Sequence, residues 1–138
     1  NGVLTGVGTT KSTFNLYRPC ASVRARLSIK FDNYPEETAW ELYDSSFNLI
    51  DSGGFNPAGT AITGYAALGF ADRSTFSVVK CLAPGTYTFV IYDDYGDGMY
   101  TSSTVSGTYS MNNLNNGAAL FSGGGDFGAF SEHEFVIE

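Results

Sequence analysis

The stretch Val23-Arg-Ala-Arg-Leu-Ser-Ile-Lys-Phe31 alternates without a break, with Val23, Ala25, Leu27, Ile29 and Phe31 on one side and Arg24, Arg26, Ser28 and Lys30 on the other. Successive side chains of an extended chain point to opposite faces, so this is a strand with one face in a core and one in water. Arg24, Arg26 and Lys30, with Arg18 close in sequence, are expected on a solvated sheet face, with a small anionic ligand as the alternative.

Moving outward, Ser12 to Tyr17 reads as a short first strand, and residues 1–11 as a tail or linker. Thr38 to Tyr43 and Asn48 to Asp51 form a predicted hairpin around Asp44-Ser-Ser46, carrying the only tryptophan, Trp40, as a buried structural residue. Gly53 to Gly69 is expected to be a long loop or weak strand. Thr75 to Val79 and Gly85 to Tyr92 flank a Pro84-Gly85 turn, Gly107 to Met111 and Ala118 to Ser122 flank Asn116-Gly117, and Glu132 to Glu138 closes the chain. Strands at short, regular spacing with no helical period predict an all-β domain over 12–138, an antiparallel β-sandwich of jelly-roll-like type.

Composition supports a packed domain. Hydrophobic residues are 43% of the 138 and aromatics 15%, with eleven Phe and nine Tyr, which favours strands and excludes disorder as the main state. A chain this long buries roughly two-thirds of the surface it exposes when unfolded. Fourteen acids against seven bases leave a formal net charge of -7, which argues against nucleic acid. No apolar run is long enough to span a bilayer, and no signal-peptide pattern opens the chain, so a soluble, excised or mature domain is expected. Two cysteines in a Gly-rich, Tyr-rich, Lys-poor chain suggest an oxidising compartment and a Cys20–Cys81 disulfide, with two free buried thiols as the alternative.

The acids are not scattered. Ile29-Lys-Phe-Asp-Asn-Tyr-Pro-Glu-Glu37 and Val90-Ile-Tyr-Asp-Asp-Tyr-Gly-Asp-Gly98 share one plan: an apolar strand, an aromatic, an Asp, a Tyr two further on, a turn residue, then acid. Calcium takes six to eight oxygens at about 2.3 to 2.6 Å, and acids in a turning loop can converge on one ion while carbonyls complete the shell. The expected ligands are Asp32, Glu37, Asp93 and Asp97, then Asp94 and Glu36, with backbone oxygen near Gly98 or Met99. The spacing is not that of an EF-hand, magnesium fits less well, and an ordinary Asp-Gly hairpin loop is the structural alternative.

In these residues the chain resembles a family of small secreted β-rich modules with an Asp-x-Tyr-Gly-Asp-Gly motif, found in extracellular proteins of marine microbes and often appended to peptidases. The likeness rests on Asp32-Asn-Tyr-Pro-Glu-Glu-Thr-Ala-Trp-Glu41, Cys81-Leu-Ala-Pro-Gly-Thr-Tyr-Thr-Phe89, Asp93-Asp-Tyr-Gly-Asp-Gly98 and Gly123-Gly-Gly-Asp-Phe-Gly128, and it covers roughly Val23 to Glu138. The resemblance implies an accessory module. Where many relatives carry a cysteine after Gly-Asp-Gly, Met99 and Tyr100 stand here, which leaves calcium to order that loop.

Two functions are in view. The first is a secreted, monomeric, calcium-dependent binding or adhesion module for extracellular polysaccharide, using Tyr34, Tyr95, Tyr100 and Tyr65 as exposed sugar platforms. The second is a calcium-stabilised structural or accessory domain of a larger secreted protein. An enzyme is not expected: Glu37 and Asp93 could pair as in a glycosidase, but no nucleophile motif is present, and His133 is expected as a solvated strand residue. The two cysteines lack the close spacing of a zinc or redox site.

Overall fold

A computed structural model describes residues 20–138. The expected tail over 1–11, the strand over 12–17 and Arg18 lie outside the described residues.

The described chain runs through β1 (Val23–Lys30), β2 (Thr38–Tyr43), β3 (Leu49–Gly53), β4 (Thr75–Leu82), β5 (Gly85–Asp93), β6 (Tyr100–Ser102), β7 (Val105–Ser106), β8 (Thr108–Asn113), β9 (Ala119–Gly124) and β10 (Phe130–Ile137). The sheet β4-β1-β8-β9 packs against the sheet β10-β5-β2-β3, while β6 and β7 form a separate short hairpin. All named pairings are antiparallel, and the fold is the β-sandwich that the alternation predicts. The β6–β7 hairpin is an addition that the sequence did not announce, because two- and three-residue strands carry too little alternation to register.

The interior follows from period two. From β1 come Ala25, Leu27 and Ile29, from β8 Tyr109 and Met111, and from β9 Phe121; facing them are Trp40 and Leu42 of β2, Phe89 and Ile91 of β5, and Phe135 and Ile137 of β10. Fully burying a Leu, Ile or Phe contributes roughly 1.5–3 kcal/mol each, so this shared interior holds the sheets together. Phe89 and Phe121 stack across it with centroids 4.7 Å apart. Trp40 is buried as expected, its indole N–H donating to Tyr65 Oη at 2.7 Å.

Two expectations are corrected. Tyr65 is buried among Phe31, Phe70 and Phe76 and offers no platform to a ligand, because the Trp40 N–H needs an interior acceptor. His133 shares the inner side of β10 with Phe135: it stacks on Phe121 at 5.1 Å, its Nε2 lies 2.7 Å from Tyr109 Oη, and burial holds its pKa below the ordinary value. The flanking Glu132 and Glu134 take the solvated side instead.

Cys20 and Cys81 form the expected disulfide, with Cα atoms 5.7 Å apart, tying the chain ahead of β1 to β4. At the facing edge strands, Lys80 of β4 and Asp51 of β3 form an ion pair at 2.8 Å, the only one among the described residues. No helix among these residues is long and apolar enough to cross a membrane.

Candidate metal centre

β1 and β5 belong to different sheets, and the two acidic stretches begin where each strand ends. After β1 the chain passes Asp32, turns through a 3-10 segment at Pro35–Glu37, and enters β2 in the opposite sheet. Because β2 runs antiparallel to β5, its first residue, Thr38, pairs with Asp93, the last residue of β5. Glu37 is thereby set beside the second acidic loop, where its carbonyl accepts the Asp94 N–H at 2.9 Å. The two copies of the pattern meet at one end of the sandwich.

Each leading Asp organises its own turn. Asp32 Oδ1 accepts the Tyr34 N–H at 2.8 Å, and Asp93 Oδ2 accepts the N–H groups of Gly96 at 2.5 Å and Asp97 at 2.9 Å. Both are almost fully buried, Asp32 at 2% and Asp93 at 5% exposure. Gly98 closes the second turn at φ 67 and sits against Gly125 O and Phe127 N, where a Cβ would be 2.6 and 2.5 Å from these atoms. This close approach is the role of the Gly-rich stretch ahead of β10.

Glu37, Asp93 and Asp97 each bring a carboxylate oxygen to within 4.8 Å of the others. Asp32 stands close enough that its charge repels Glu37 and Asp93. Three buried oxygens, Asp32 Oδ2, Glu37 Oε1 and Asp97 Oδ1, have no hydrogen-bond partner. None of these acids is in an ion pair among the described residues. Leaving a buried polar atom unsatisfied costs about 1–3 kcal/mol, and more for a charge, so the arrangement is unfavourable unless a cation or protons neutralise it.

The ionisation of the group shows the same stress. Burial raises Glu37 first, repulsion from Asp93, Asp97, Asp32 and Glu36 adds to it, and its pKa is pushed up to about 7. Burial also raises Asp32 and Asp93, opposed in part by the N–H groups of Tyr34 and of Gly96 and Asp97 respectively.

The donor set is all hard oxygen, and separations up to 4.8 Å suit ligands around an ion with bonds of about 2.3–2.6 Å. Of the remaining expected side-chain ligands, Glu36 and Asp94 lie outside this cluster of three. Glu36 and Asp94 are exposed, Asp94 contributing its backbone N–H, while Met99 is buried and its carbonyl accepts the Gly107 N–H at 2.7 Å.

Above the carboxylates opens a pocket of about 370 Å³ lined by Tyr34, Glu37, Tyr95, Asp97, Tyr100 and Thr101. Of the four tyrosines named from the sequence, Tyr34, Tyr95 and Tyr100 reach it, and Tyr95 is 76% exposed. Thr101 was missed: it lies on β6, lines the pocket, and its Oγ1 accepts the Asn33 N–H at 3.2 Å, linking the hairpin to the first acidic loop. Comparison of the chain with protein-family models, with curated proteins and with solved structures returns no match.

Proposed function

We propose that the protein is a calcium-binding extracellular module whose metal-bearing pocket holds polysaccharide. The observation that carries this reading is the convergence of Glu37, Asp93 and Asp97, with Asp32 behind them, beneath a pocket walled by three exposed tyrosines. Glu37, Asp93, Asp97 and Asp32 would hold the ion by side-chain oxygens. A bound calcium supplies positive charge and open coordination positions to which sugar hydroxyls can bind. Tyr34, Tyr95 and Tyr100 offer flat apolar faces with a polar tip, suited to sugar rings. The disulfide is compatible with an oxidising, extracellular setting, and the resemblance to secreted accessory modules points the same way. No hydrolytic role is proposed for Glu37 and Asp93, since both are assigned to the ion.

A second reading, calcium as a purely structural tie in an accessory domain, is favoured by the position of Asp32 and Asp93 at the ends of strands from different sheets. Thermal unfolding in EDTA and in millimolar calcium, followed by calorimetric titration of the metal-free protein, tests the ion. Absence of both a melting shift and a binding heat would reject it. Titration of neutral and anionic oligosaccharides with and without calcium then separates the two readings: calcium-dependent sugar binding weakened by Tyr95→Ala supports the first, and calcium binding without any sugar binding supports the second.

A further inference from the structure

The outward face of the β4-β1-β8-β9 sheet carries charge of one sign. Arg24, Arg26 and Lys30 are exposed along β1, and residues directly opposite one another in an antiparallel ladder share a face. Opposite Arg26 stand Val79 and Asn112, opposite Ser28 stand Ser77 and Ser110, and opposite Lys30 stand Thr75 and Thr108. No acid interrupts these positions. At the end of the row Lys30 Nζ donates to the Arg73 carbonyl at 3.2 Å, and the Arg73 N–H donates to the Asp32 carbonyl at 2.7 Å. In a chain of net charge -7, three basic side chains thus line up along β1, and the row ends at Lys30, which is tied through the Arg73 backbone to the acidic loop that borders the pocket. The outer face of the other sheet is the reverse, with Glu41, Glu132 and Glu134 on the side shared with Val90 and Thr88.

From Arg24 to Lys30 the row spans about 20 Å at roughly 3.3 Å per residue. It is hydroxyl-rich and free of large aromatics, with Ser28, Ser77, Ser110, Thr75 and Thr108 beside the bases, which suits an extended polymer with repeated charge rather than a compact ligand. We propose that the polysaccharide is anionic, a chain of uronate or sulfated sugars that lies along β1 over Arg24, Arg26 and Lys30 and reaches the tyrosine-walled pocket at its end. This rests on the pocket reading above for the far end of the chain, whereas the β1 row is an independent observation. Arginine forks suit carboxylate and sulfate oxygens, and a row of such contacts gains from multivalency where a single exposed pair gains little.

The test is calorimetric titration of the full chain with three soluble oligosaccharides of equal length, an oligouronate, a sulfated oligomer and a neutral one, each with calcium and with EDTA. The two anionic oligomers separate carboxylate from sulfate as the source of charge. Arg24→Ser combined with Arg26→Ser is expected to lower affinity for the anionic oligomer roughly tenfold while leaving calcium affinity unchanged, with binding weakening steeply as salt rises. Equal affinity for the neutral oligomer, or no change in the double variant, would overturn the proposal. So would equally tight binding of a single-stranded DNA of similar length, or a mass increase in sedimentation that the double variant abolishes, which would assign the face to another polyanion or to a second copy. If calcium fails to bind while the anionic oligomer still binds through Arg24 and Arg26, the pocket reading fails and the β1 site stands.

Discussion

The backbone N–H of Asp94 donates to the carbonyl of Glu37 at 2.9 Å, and this bond fastens the loop after β1 to the loop after β5. It places the Glu37 carboxylate against Asp93 and Asp97, with like charges facing one another. Calcium at 100 times its dissociation constant would stabilise this end of the sandwich by ~2.7 kcal/mol, a rise in melting temperature of roughly 10 °C. Asp93→Ala combined with Asp97→Ala is expected to abolish the rise; calcium affinity unaltered in that variant, measured by calorimetry, would end the case for a metal here.

The same crowding sets the pH dependence of the metal-free fold. Glu37 has an ordinary pKa of 4.5 and is pushed up to about 7 in the folded chain, so between these values the native state holds a proton that the unfolded state has released. Its contribution is therefore complete below 4.5 and lost as pH rises through about 7, and the raised Asp32 and Asp93 act in the same direction. His133 acts in the opposite sense: its folded pKa is held below 6.5, so its contribution is present above 6.5 and fades as pH falls. Thermal melts in EDTA from pH 5 to 7.5 should show the native chain losing stability with pH and Glu37→Gln losing less. Parallel curves for the two proteins would show that Glu37 is not stressed.

Binding of the ion should reverse that slope. Carboxylates ligate only when deprotonated, so calcium uptake near pH 6 should release protons and strengthen as pH rises through about 7. Titrations in two buffers of different ionisation heat count the protons directly. A count of zero at pH 6 would contradict the raised ionisation of Glu37.

The disulfide gives a separate handle on stability. In the chain-entropy model a closed loop of about 60 residues stabilises by roughly 4 kcal/mol, an upper figure because β1 and β4 already pair beside the bridge. Cys20→Ser combined with Cys81→Ser should lower stability in urea by up to that amount and leave calcium affinity nearly intact, since the bridge lies at the end of β1 away from Asp32. Loss of calcium binding in a variant that remains folded would show that the bridge shapes the site.

Much of this was legible because strands and acid spacing are local signals. The run from Val23 to Phe31 declares its faces by alternation, and the two matching stretches declare that Asp32 and Asp93 occupy equivalent places at strand ends. Long-range pairing was not legible: nothing local says that β1 lies between β4 and β8, or that β2 starts opposite the end of β5. That pairing is what selects Glu37 over Glu36 for the cluster. Tyr65 and His133 were misplaced for a related reason: Tyr65 is held inside by the Trp40 N–H and by rings distant in sequence, and His133, although it alternates in step with Phe135 and Ile137, is made acceptable on the inner face by Tyr109 and Phe121. The short hairpin carrying Thr101 was lost between two acidic and glycine-rich stretches.

Gly64 shows how the loop between β3 and β4, to which the sequence assigned no function, serves the site. Its φ of 66 is left-handed, and a Cβ there would collide with the backbone of Glu36, inside the 3-10 turn that presents Glu37. The next residue, Tyr65, donates its N–H to the Pro35 carbonyl at 2.7 Å, so the loop clamps that turn from outside. Gly64→Ala must either twist its own backbone out of the left-handed region or displace the turn, at a cost of about 2 kcal/mol or more. Displacing the turn moves Glu37 away from Asp93 and Asp97. The variant should therefore lose stability and also bind calcium more weakly, whereas Gly59→Ala, also left-handed at φ 71 but in open space, should lose stability alone. Equal calcium affinities in the two variants would mean that the Gly64 contact supports the fold without positioning Glu37.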